Sequence, residues 1–186
     1  MSLDTFRNVI KFCLESQQVN PREYISVMLS LKEPMVSWKN IKTIIEEFGE
    51  EMYQNKIFMT MNTNGVLLTQ DRIDFMRKHL LDIHISLDGP KDIHDRRRVY
   101  RDGSGRSSWE KIMQIIEDNP NADYMSFMTT IHKEDLSRVE EIFFFMSNLP
   151  ISCWVYALDN NDDWDDETIN ELERQIKNFI CSANAR

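Results

Sequence analysis

The amino-acid sequence predicts an α/β fold with about five parallel strands. Apolar residues recur with the period of a helix and then with the period of a strand, and the two patterns alternate along the chain. Neighbouring strands begin roughly 25 to 40 residues apart, which is the spacing that βαβ units need. Five strands are too few for a closed eight-stranded barrel, so a partial barrel and an open doubly wound sheet both fit this pattern.

The first part of the chain predicts a helix, a strand and a second helix. Residues 1–18 carry apolar side chains at helical spacing, and the breaker pair Asn20-Pro21 follows them. The first strand is predicted over residues 24–31. Ser37 is a suitable N-cap for the second helix, and Gly49 is expected to end it.

The later elements continue the alternation. The third strand, predicted over 82–87, ends at the turn signal Asp88-Gly89-Pro90, and after a polar loop Ser107-x-x-Glu110 forms a capping box for a helix. The other predicted strands cover 56–62, 124–131 and 151–158, and the other predicted helices cover 69–79, 107–117, 135–147 and the stretch that follows the acidic residues 159–167 through residue 179.

Charge and composition restrict the partners that we expect. The chain has 186 residues, with 22 Lys+Arg against 31 Asp+Glu and a formal net charge of −9. An acidic balance argues against nucleic acid and against anionic membranes as partners. The apolar runs are also too short to span a bilayer. We therefore expect a cytoplasmic protein that binds neither nucleic acid nor membrane.

The three cysteines do not form a recognisable metal or disulfide pattern. Cys13, Cys153 and Cys181 are odd in number and far apart, and no pair shows the spacing of a metal clip. We expect reduced thiols in core or partly buried positions, because free cysteine is among the most buried residue types. The sequence predicts no metal site.

Polar residues gather where the predicted strands end. In a partial barrel and in an open parallel sheet alike, the working site lies at the carboxyl ends of the strands. Five segments at the predicted strand ends are rich in polar residues. In any single segment, turn formation alone accounts for Gly, Pro, Asn and Asp. The five segments together predict a site. The segments are 30–34, 62–65, 86–90, 129–133 and 157–160.

Four segments of the chain resemble the radical S-adenosylmethionine (radical SAM) enzymes. They are Thr63–Thr69 with the letters TNGVLLT, Ile83–Pro90 with IHISLDGP, the His94-Asp95-x-x-Arg98 motif and Gly103-Ser104-Gly105. Within those enzymes the likeness is to the branch that matures sulfatases and ribosomal peptides, whose members often add a C-terminal SPASM domain. The resemblance runs from Met1 to about Leu158. It implies a partial (β/α)6 barrel, of which this chain supplies strands two to six.

The resemblance also assigns residues and domain limits. Glu33 matches the acid that receives the methionyl ammonium of SAM, and Asn64 matches a loop residue near the ligand. Ser86 resembles the residue that contacts the SAM carboxylate, and Arg98 the arginine that pairs with that carboxylate or the ribose. Leu31-Lys32 replaces the two glycines that precede the acid in the family. The partial barrel is expected over residues 1–158, with 159–186 as an acidic loop and C-terminal helix of the same domain.

The cofactors that the resemblance implies are SAM and a 4Fe-4S cluster. The family holds the cluster with three thiolates of a CxxxCxxC loop after the first strand, leaving one iron for SAM. This sequence begins just downstream of that point, and Cys13 cannot replace three thiolates. The cluster ligands are therefore missing from the sequence, and the catalytic residues are unknown. His94 and Asp95 are expected to hold their loop.

Three hypotheses follow for the function. The first is a truncated core domain of a radical SAM enzyme that modifies a peptide or protein, inactive as an isolated chain. The parent chemistry is reductive cleavage of SAM to a 5′-deoxyadenosyl radical, which takes hydrogen from a polypeptide substrate. The alternatives are a pseudoenzyme or binding module that kept the barrel rim, and an unrelated α/β binding protein. An exposed edge at residues 24–31 also predicts oligomerisation or a partner segment.

Overall fold

The structure is a computed structural model that describes residues 1–30, 32–100 and 104–184. The strands are β1 (Ile25–Leu29), β2 (Ile57–Thr63), β3 (Asp82–Ser86), β4 (Met125–Ile131) and β5 (Trp154–Leu158). The helices are α1 (Leu3–Val19), α2 (Trp38–Gln54), α3 (Gln70–Lys78), α4 (Lys91–His94), α5 (Ser108–Asp118), α6 (Val139–Ser147) and α7 (Asp166–Asn184). Short 3-10 helices cover Pro34–Ser37 and Lys133–Arg138.

The five strands form one sheet in the order β1-β2-β3-β4-β5. β1 runs parallel to β2, with Ile25 opposite Ile57, and β4 runs parallel to β5, with Phe127 opposite Trp154. Helices separate consecutive strands, as βαβ units require. The predicted α/β class with five parallel strands is therefore confirmed.

The chain divides into two compact units. The first comprises residues 1–63 and 67–84, and the second comprises residues 64–66 and the chain from residue 85 onwards. In the first unit, α1 and α2 bury Ile10, Ile41 and Ile44 completely or nearly so. In the second, α5 and α6 bury Ile112 and Ile142, which are fully buried. Each unit therefore has its own apolar core.

Alternating burial distinguishes the two faces of the strands. Along β2, Ile57, Met59 and Met61 are buried, whereas Phe58 is exposed and Thr60 and Asn62 are half-buried. β4 alternates in the same way. Successive side chains of a strand point to opposite faces. In β2 and β4, one face therefore belongs to the core, and the other face is only partly covered.

Two local predictions differ from the structure. Gly49 lies inside α2, which continues to Gln54, so the prediction that Gly49 ends this helix is wrong. The helix stops where the chain enters a left-handed conformation at Lys56, with φ 55°. Cys13 is half-buried as expected, but Cys153 and Cys181 are exposed. None of the described helices has the length and apolarity to cross a membrane.

Candidate functional site

The turn after β1 fixes Glu33 by two hydrogen bonds. Its Oε1 accepts from the backbone N–H of Met35 at 3.0 Å and from the hydroxyl of Thr63 at 2.8 Å. Glu33 is thus the N-cap of the 3-10 helix Pro34–Ser37, and Pro34 suits the first helical position because it has no N–H to satisfy. Thr63 is the last residue of β2, so two strand ends hold this carboxylate together.

Lys32 has the backbone conformation that favours glycine. Its φ is 61°, in the left-handed region, and its side chain is exposed. The resemblance places the second glycine of the family at this position. The turn therefore keeps the left-handed backbone although lysine replaces glycine. The preceding Leu31 lies outside the described residues.

The loop after β2 places Asn64 through a local turn. Its side-chain oxygen accepts from the backbone N–H of Val66 at 3.0 Å. Gly65 has φ 75°, and an added Cβ would lie 3.2 Å from Ile112 and 3.3 Å from Ile85. Only glycine fits both the conformation and the space. Gly65 therefore fixes the conformation of the loop that carries Asn64.

Ser86 ends β3 with an available hydroxyl. The residue is half-buried, and its side chain makes no hydrogen bond with any residue that the structure describes. The next residue, Leu87, is held to β4 because its N–H donates to Met128 and its carbonyl accepts from the Thr129 hydroxyl at 2.8 Å. The position of Ser86 is thus fixed while its hydroxyl remains available for a ligand.

Arg98 is bound side-on by the buried carboxylate of Asp88. Its Nε and Nη2 both donate to Asp88, which is 1% exposed. The same carboxylate accepts from the backbone N–H of Thr130 at 2.9 Å, at the end of β4. Nη1 of Arg98 donates to none of the residues described in the structure, and the side chain is 27% exposed. Arg98 is therefore not a solvated loop residue but an oriented one with a free N–H edge.

His94 stabilises the same loop by hydrogen bonds from its buried side. It is fully buried, and its Nδ1 accepts from the backbone N–H of Asp88 at 3.2 Å. Its Nε2 lies 2.8 Å from the Ser108 hydroxyl, which donates to the carbonyl of Arg98 at 2.6 Å. These partners require a neutral ring with the proton on Nε2. Burial accordingly lowers the pKa of His94 to about 4.

The neighbours of His94 and Arg98 are also paired. Asp95 accepts from Lys91 and from the Ser107 hydroxyl. Arg96 and Arg97 both donate to Asp135, which is 1% exposed. The expectation that His94 and Asp95 hold the loop is therefore confirmed.

The structure connects some of the predicted residues through partners that the sequence interpretation missed. Arg98 depends on Asp88, which was recognised only as part of a turn signal, and on the distant Ser108. Glu33 depends on Thr63. No local signal marks Asp88 as this partner, because a separation of ten residues does not by itself bring two side chains together. Glu33 belongs to the first unit, and Asn64, Ser86 and Arg98 belong to the second.

A second polar cluster follows β4 and β5. His132 Nδ1 lies 3.0 Å from an oxygen of Asp159 and 3.6 Å from an oxygen of Asp162. One ligand atom from each of these three residues lies within 4.8 Å of the others, a geometry that a divalent cation with nitrogen and oxygen ligands can use. A cavity of about 550 Å³ adjoins the cluster and is lined by Arg97, His132, Lys133, Glu134 and Asp162.

Among the residues that the structure describes, the grouping of metal-ligating side chains contains no cysteine. Burial raises the pKa of the half-buried Cys13 thiol, which disfavours the thiolate that iron requires. The described cysteines therefore do not fit a 4Fe-4S cluster.

The comparison with known families decides the identity of the fold. The sequence pattern of the Radical SAM superfamily matches residues 8–146, which is more than half of the chain. The chain belongs to the radical SAM superfamily. The TNG, SLDGP and HDxxR segments on which the resemblance was based all lie inside the matched residues.

Two characterised relatives show which radical SAM proteins the chain is similar to. It is 30% identical over 91 residues to the cysteine-type anaerobic sulfatase-maturating enzyme of Clostridium novyi, covering 48% of this chain and 24% of that enzyme. It is 25% identical over 139 residues to the radical SAM cyclopropyl synthase TigE of Paramaledivibacter caminithermalis, covering 74% of this chain and 28% of that enzyme. The chain thus spans about a quarter of the length of these relatives.

Solved structures confirm the partial (β/α) barrel. Native anSMEcpe with bound AdoMet matches with a TM-score of 0.74 over 93% of this chain and 50% of that chain, at 16% identity. Native anSMEcpe with bound AdoMet and Cp18Cys peptide matches with a TM-score of 0.73 over 92% of this chain and 51% of that chain. At this identity the likeness establishes the fold, which is the predicted one.

Proposed function

We propose that this chain is the SAM-binding core of a cytoplasmic radical SAM enzyme that modifies a peptide or protein. The observation that carries the proposal is the orientation of Arg98. Its Nε and Nη2 donate to buried Asp88, and its Nη1 donates to none of the described residues and is available to a ligand. Superfamily membership supports SAM as the cofactor, and relatives named as sulfatase-maturating enzymes support a polypeptide substrate.

The residues assigned by resemblance suit the groups of SAM. The carboxylate of Glu33 is a charge-assisted acceptor for the methionyl ammonium, and the hydroxyl of Ser86 is an available donor for the carboxylate. Arg98 offers the same carboxylate one guanidinium edge, and Asn64 lies in the loop that borders the ligand in the family. When bound and reductively cleaved, SAM supplies the radical that takes hydrogen from the substrate.

The work of this chain is to bind and orient the ligand. Because Asp88, Thr130 and the His94–Ser108 pair already hold Arg98, its side chain need not be ordered again when the carboxylate arrives. Such preorganisation reduces the entropic cost of binding. The described cysteines do not fit the cluster, and we derive no step through it.

Ligand binding by the purified chain tests the proposal. Isothermal titration with S-adenosylhomocysteine, a stable SAM analogue, is expected to show binding that Ser86→Ala weakens about tenfold, since one hydrogen bond to a charged group is worth about 1.5 kcal/mol. Ser86 is the suitable target because its hydroxyl has no described partner, so the variant keeps the stability of the wild type. Ser147→Ala, on the exposed end of α6, is the control.

Arg98→Lys is a second variant for the same titration. It keeps the charge opposite Asp88 but loses the planar fork, so binding is expected to fall further than in Ser86→Ala. A wild-type chain that does not bind S-adenosylhomocysteine at millimolar concentration would show that the SAM-site assignment is wrong.

A further inference from the structure

Three side chains that can bind a metal ion meet where β4 and β5 end. The parallel register pairs Ile131 with Leu158, so the residues that follow them, His132 and Asp159, lie side by side. The backbone N–H of Asp159 donates to the carbonyl of Ile131 at 3.0 Å, which extends the pairing beyond the strands. Asp162 lies beside them, because its N–H donates to the carbonyl of Asp159 at 3.2 Å. The fold therefore brings one imidazole and two carboxylates together from two separate segments of the chain.

The three ligand atoms have the spacing of a coordination sphere. Nδ1 of His132 lies 3.0 Å from Oδ2 of Asp159 and 3.6 Å from Oδ2 of Asp162, and one ligand atom from each residue lies within 4.8 Å of the others. Bonds of about 2.1 Å from zinc to nitrogen and oxygen place neighbouring ligand atoms roughly 3.0 to 3.4 Å apart. The side chains are therefore already close to the arrangement that a metal ion requires.

The two carboxylates converge on one imidazole nitrogen that can satisfy only one of them. Nδ1 of His132 carries at most one hydrogen, and at 3.6 Å the oxygen of Asp162 is beyond hydrogen-bond distance from it. The side chains of Asp159 and Asp162 are only 19% and 29% exposed, so water screens their mutual repulsion incompletely. A cation between the three ligand atoms would remove this repulsion.

The basic side chains that line the adjoining cavity are directed to other partners. The ammonium of Lys133 donates to the carbonyl of Asp163 at 2.7 Å. The guanidinium of Arg97 donates to two carboxylates outside the cluster, those of Glu134 and Asp135. Neither side chain donates to the oxygens that face His132 in the described hydrogen bonds, so neither replaces a cation there.

Both carboxylates are oriented by backbone groups. Oδ1 of Asp159 accepts from the backbone N–H of Asn161 at 3.0 Å and from its side-chain amide at 2.8 Å, which leaves Oδ2 directed at His132. Oδ2 of Asp162 accepts from the backbone N–H of Lys133 at 2.7 Å. Metal ligands in proteins are commonly held by such outer hydrogen bonds, which fix their orientation before the ion binds.

We propose that His132, Asp159 and Asp162 bind a divalent first-row transition cation, such as Zn²⁺ or Mn²⁺. An imidazole ligand favours such a cation over Mg²⁺ and Ca²⁺, which prefer oxygen ligands alone. Three protein ligands leave further coordination positions open, and the cavity of about 550 Å³ gives them room for water. The proposal uses none of the residues assigned to SAM and does not depend on the proposed function.

Calorimetric titration of the metal-stripped chain with ZnCl₂ tests the site. We expect one ion to bind per chain, and Asp162→Asn and His132→Gln each to weaken the affinity by at least about tenfold, since even the outer partners of metal ligands contribute that much. Asparagine at position 162 can still accept from the N–H of Lys133, so this variant is expected to fold. MgCl₂ should bind much more weakly than ZnCl₂.

Asp163→Asn is the matched control. It removes the same charge from the next residue, whose side chain is exposed and is not one of the three ligands, so wild-type affinity is expected. A Cys153→Ser/Cys181→Ser double variant removes the two exposed thiols, which also attract zinc, and should bind as the wild type does. In urea denaturation, Zn²⁺ should raise the unfolding midpoint of both controls but not that of Asp162→Asn.

Four results would overturn the proposal. The first is a wild-type chain that does not bind Zn²⁺ at millimolar concentration. The second is an equal loss of affinity in Asp162→Asn and Asp163→Asn, which would mean general attraction to an acidic surface. The third is loss of binding in the double cysteine variant, which would place the ion on the thiols. The fourth is Mg²⁺ binding as tight as Zn²⁺ binding, which would exclude the imidazole as a ligand.

Discussion

The turn after β1 and the loop after β3 each carry a residue assigned to SAM, but they are held in different ways. Arg98, in the loop, is held by buried Asp88 and by the His94–Ser108 pair. Glu33, in the turn, accepts from the backbone N–H of Met35 and from the hydroxyl of Thr63, and it follows an exposed lysine. In the loop, where the sequence keeps the family motif, residues of the motif hydrogen-bond to each other, as Arg98 does to Asp88. In the turn, where the sequence departs from the motif, Lys32 keeps the left-handed backbone conformation although it is not a glycine.

The largest expected effect comes from disturbing the backbone of the loop. Gly89 has φ 120°, and an added Cβ would lie 3.1 Å from Ile142. Gly89→Ala combines a strained conformation with a steric clash, so we expect a loss of roughly 2 to 4 kcal/mol in the free energy of unfolding. Urea denaturation measures it.

Gly105→Ala is the control for Gly89→Ala. Its φ is 65°, but nothing lies within 4 Å of the added Cβ, so only the conformational term of about 1 kcal/mol remains. Equal losses in the two variants would show that contact with Ile142 does not restrict the loop.

The second effect is a pH dependence that originates in His94. Its folded-state pKa is about 4, below the ordinary value of 6.5, because burial disfavours the charged ring. Between these values the unfolded chain binds a proton that the folded chain does not, so stability is complete above pH 6.5 and falls as the pH drops towards 4. The total loss is roughly 3 kcal/mol.

His94→Gln tests this assignment. The variant cannot titrate, so its free energy of unfolding should fall less than that of the wild type between pH 7 and pH 5. Carboxylates with lowered pKa values, such as Asp92 and Asp159, act below that range and are present in both chains. Parallel pH profiles would mean that His94 is not the titrating group.

The sequence predicted the fold well because periodicity and turn residues are local signals. Asp88-Gly89-Pro90 ended a strand as expected, and Ser107 began α5. Gly49 failed as a stop signal because it keeps a helical backbone within α2, and the left-handed residue that follows this helix is Lys56. The predicted site residues each lie at a strand end or in the following loop, but the Asp88–Arg98 pair depends on three-dimensional contacts that no local pattern records.

The smallest expected effect concerns Lys32, the position at which the turn departs from the family. Its φ of 61° strains a residue with a Cβ, so Lys32→Gly is expected to stabilise the chain by about 0.5 to 1 kcal/mol, as the relief of strain exceeds the added freedom of the unfolded chain. Lys32→Ala removes the same charge but keeps the strain, and should give no such gain in urea denaturation. If both variants bind S-adenosylhomocysteine more tightly than the wild type by the same factor, the charge of Lys32 opposes the ligand ammonium. If only the glycine variant does, the backbone of the turn limits binding, and the difference between the turn and the loop lies in their backbone rather than in their side chains.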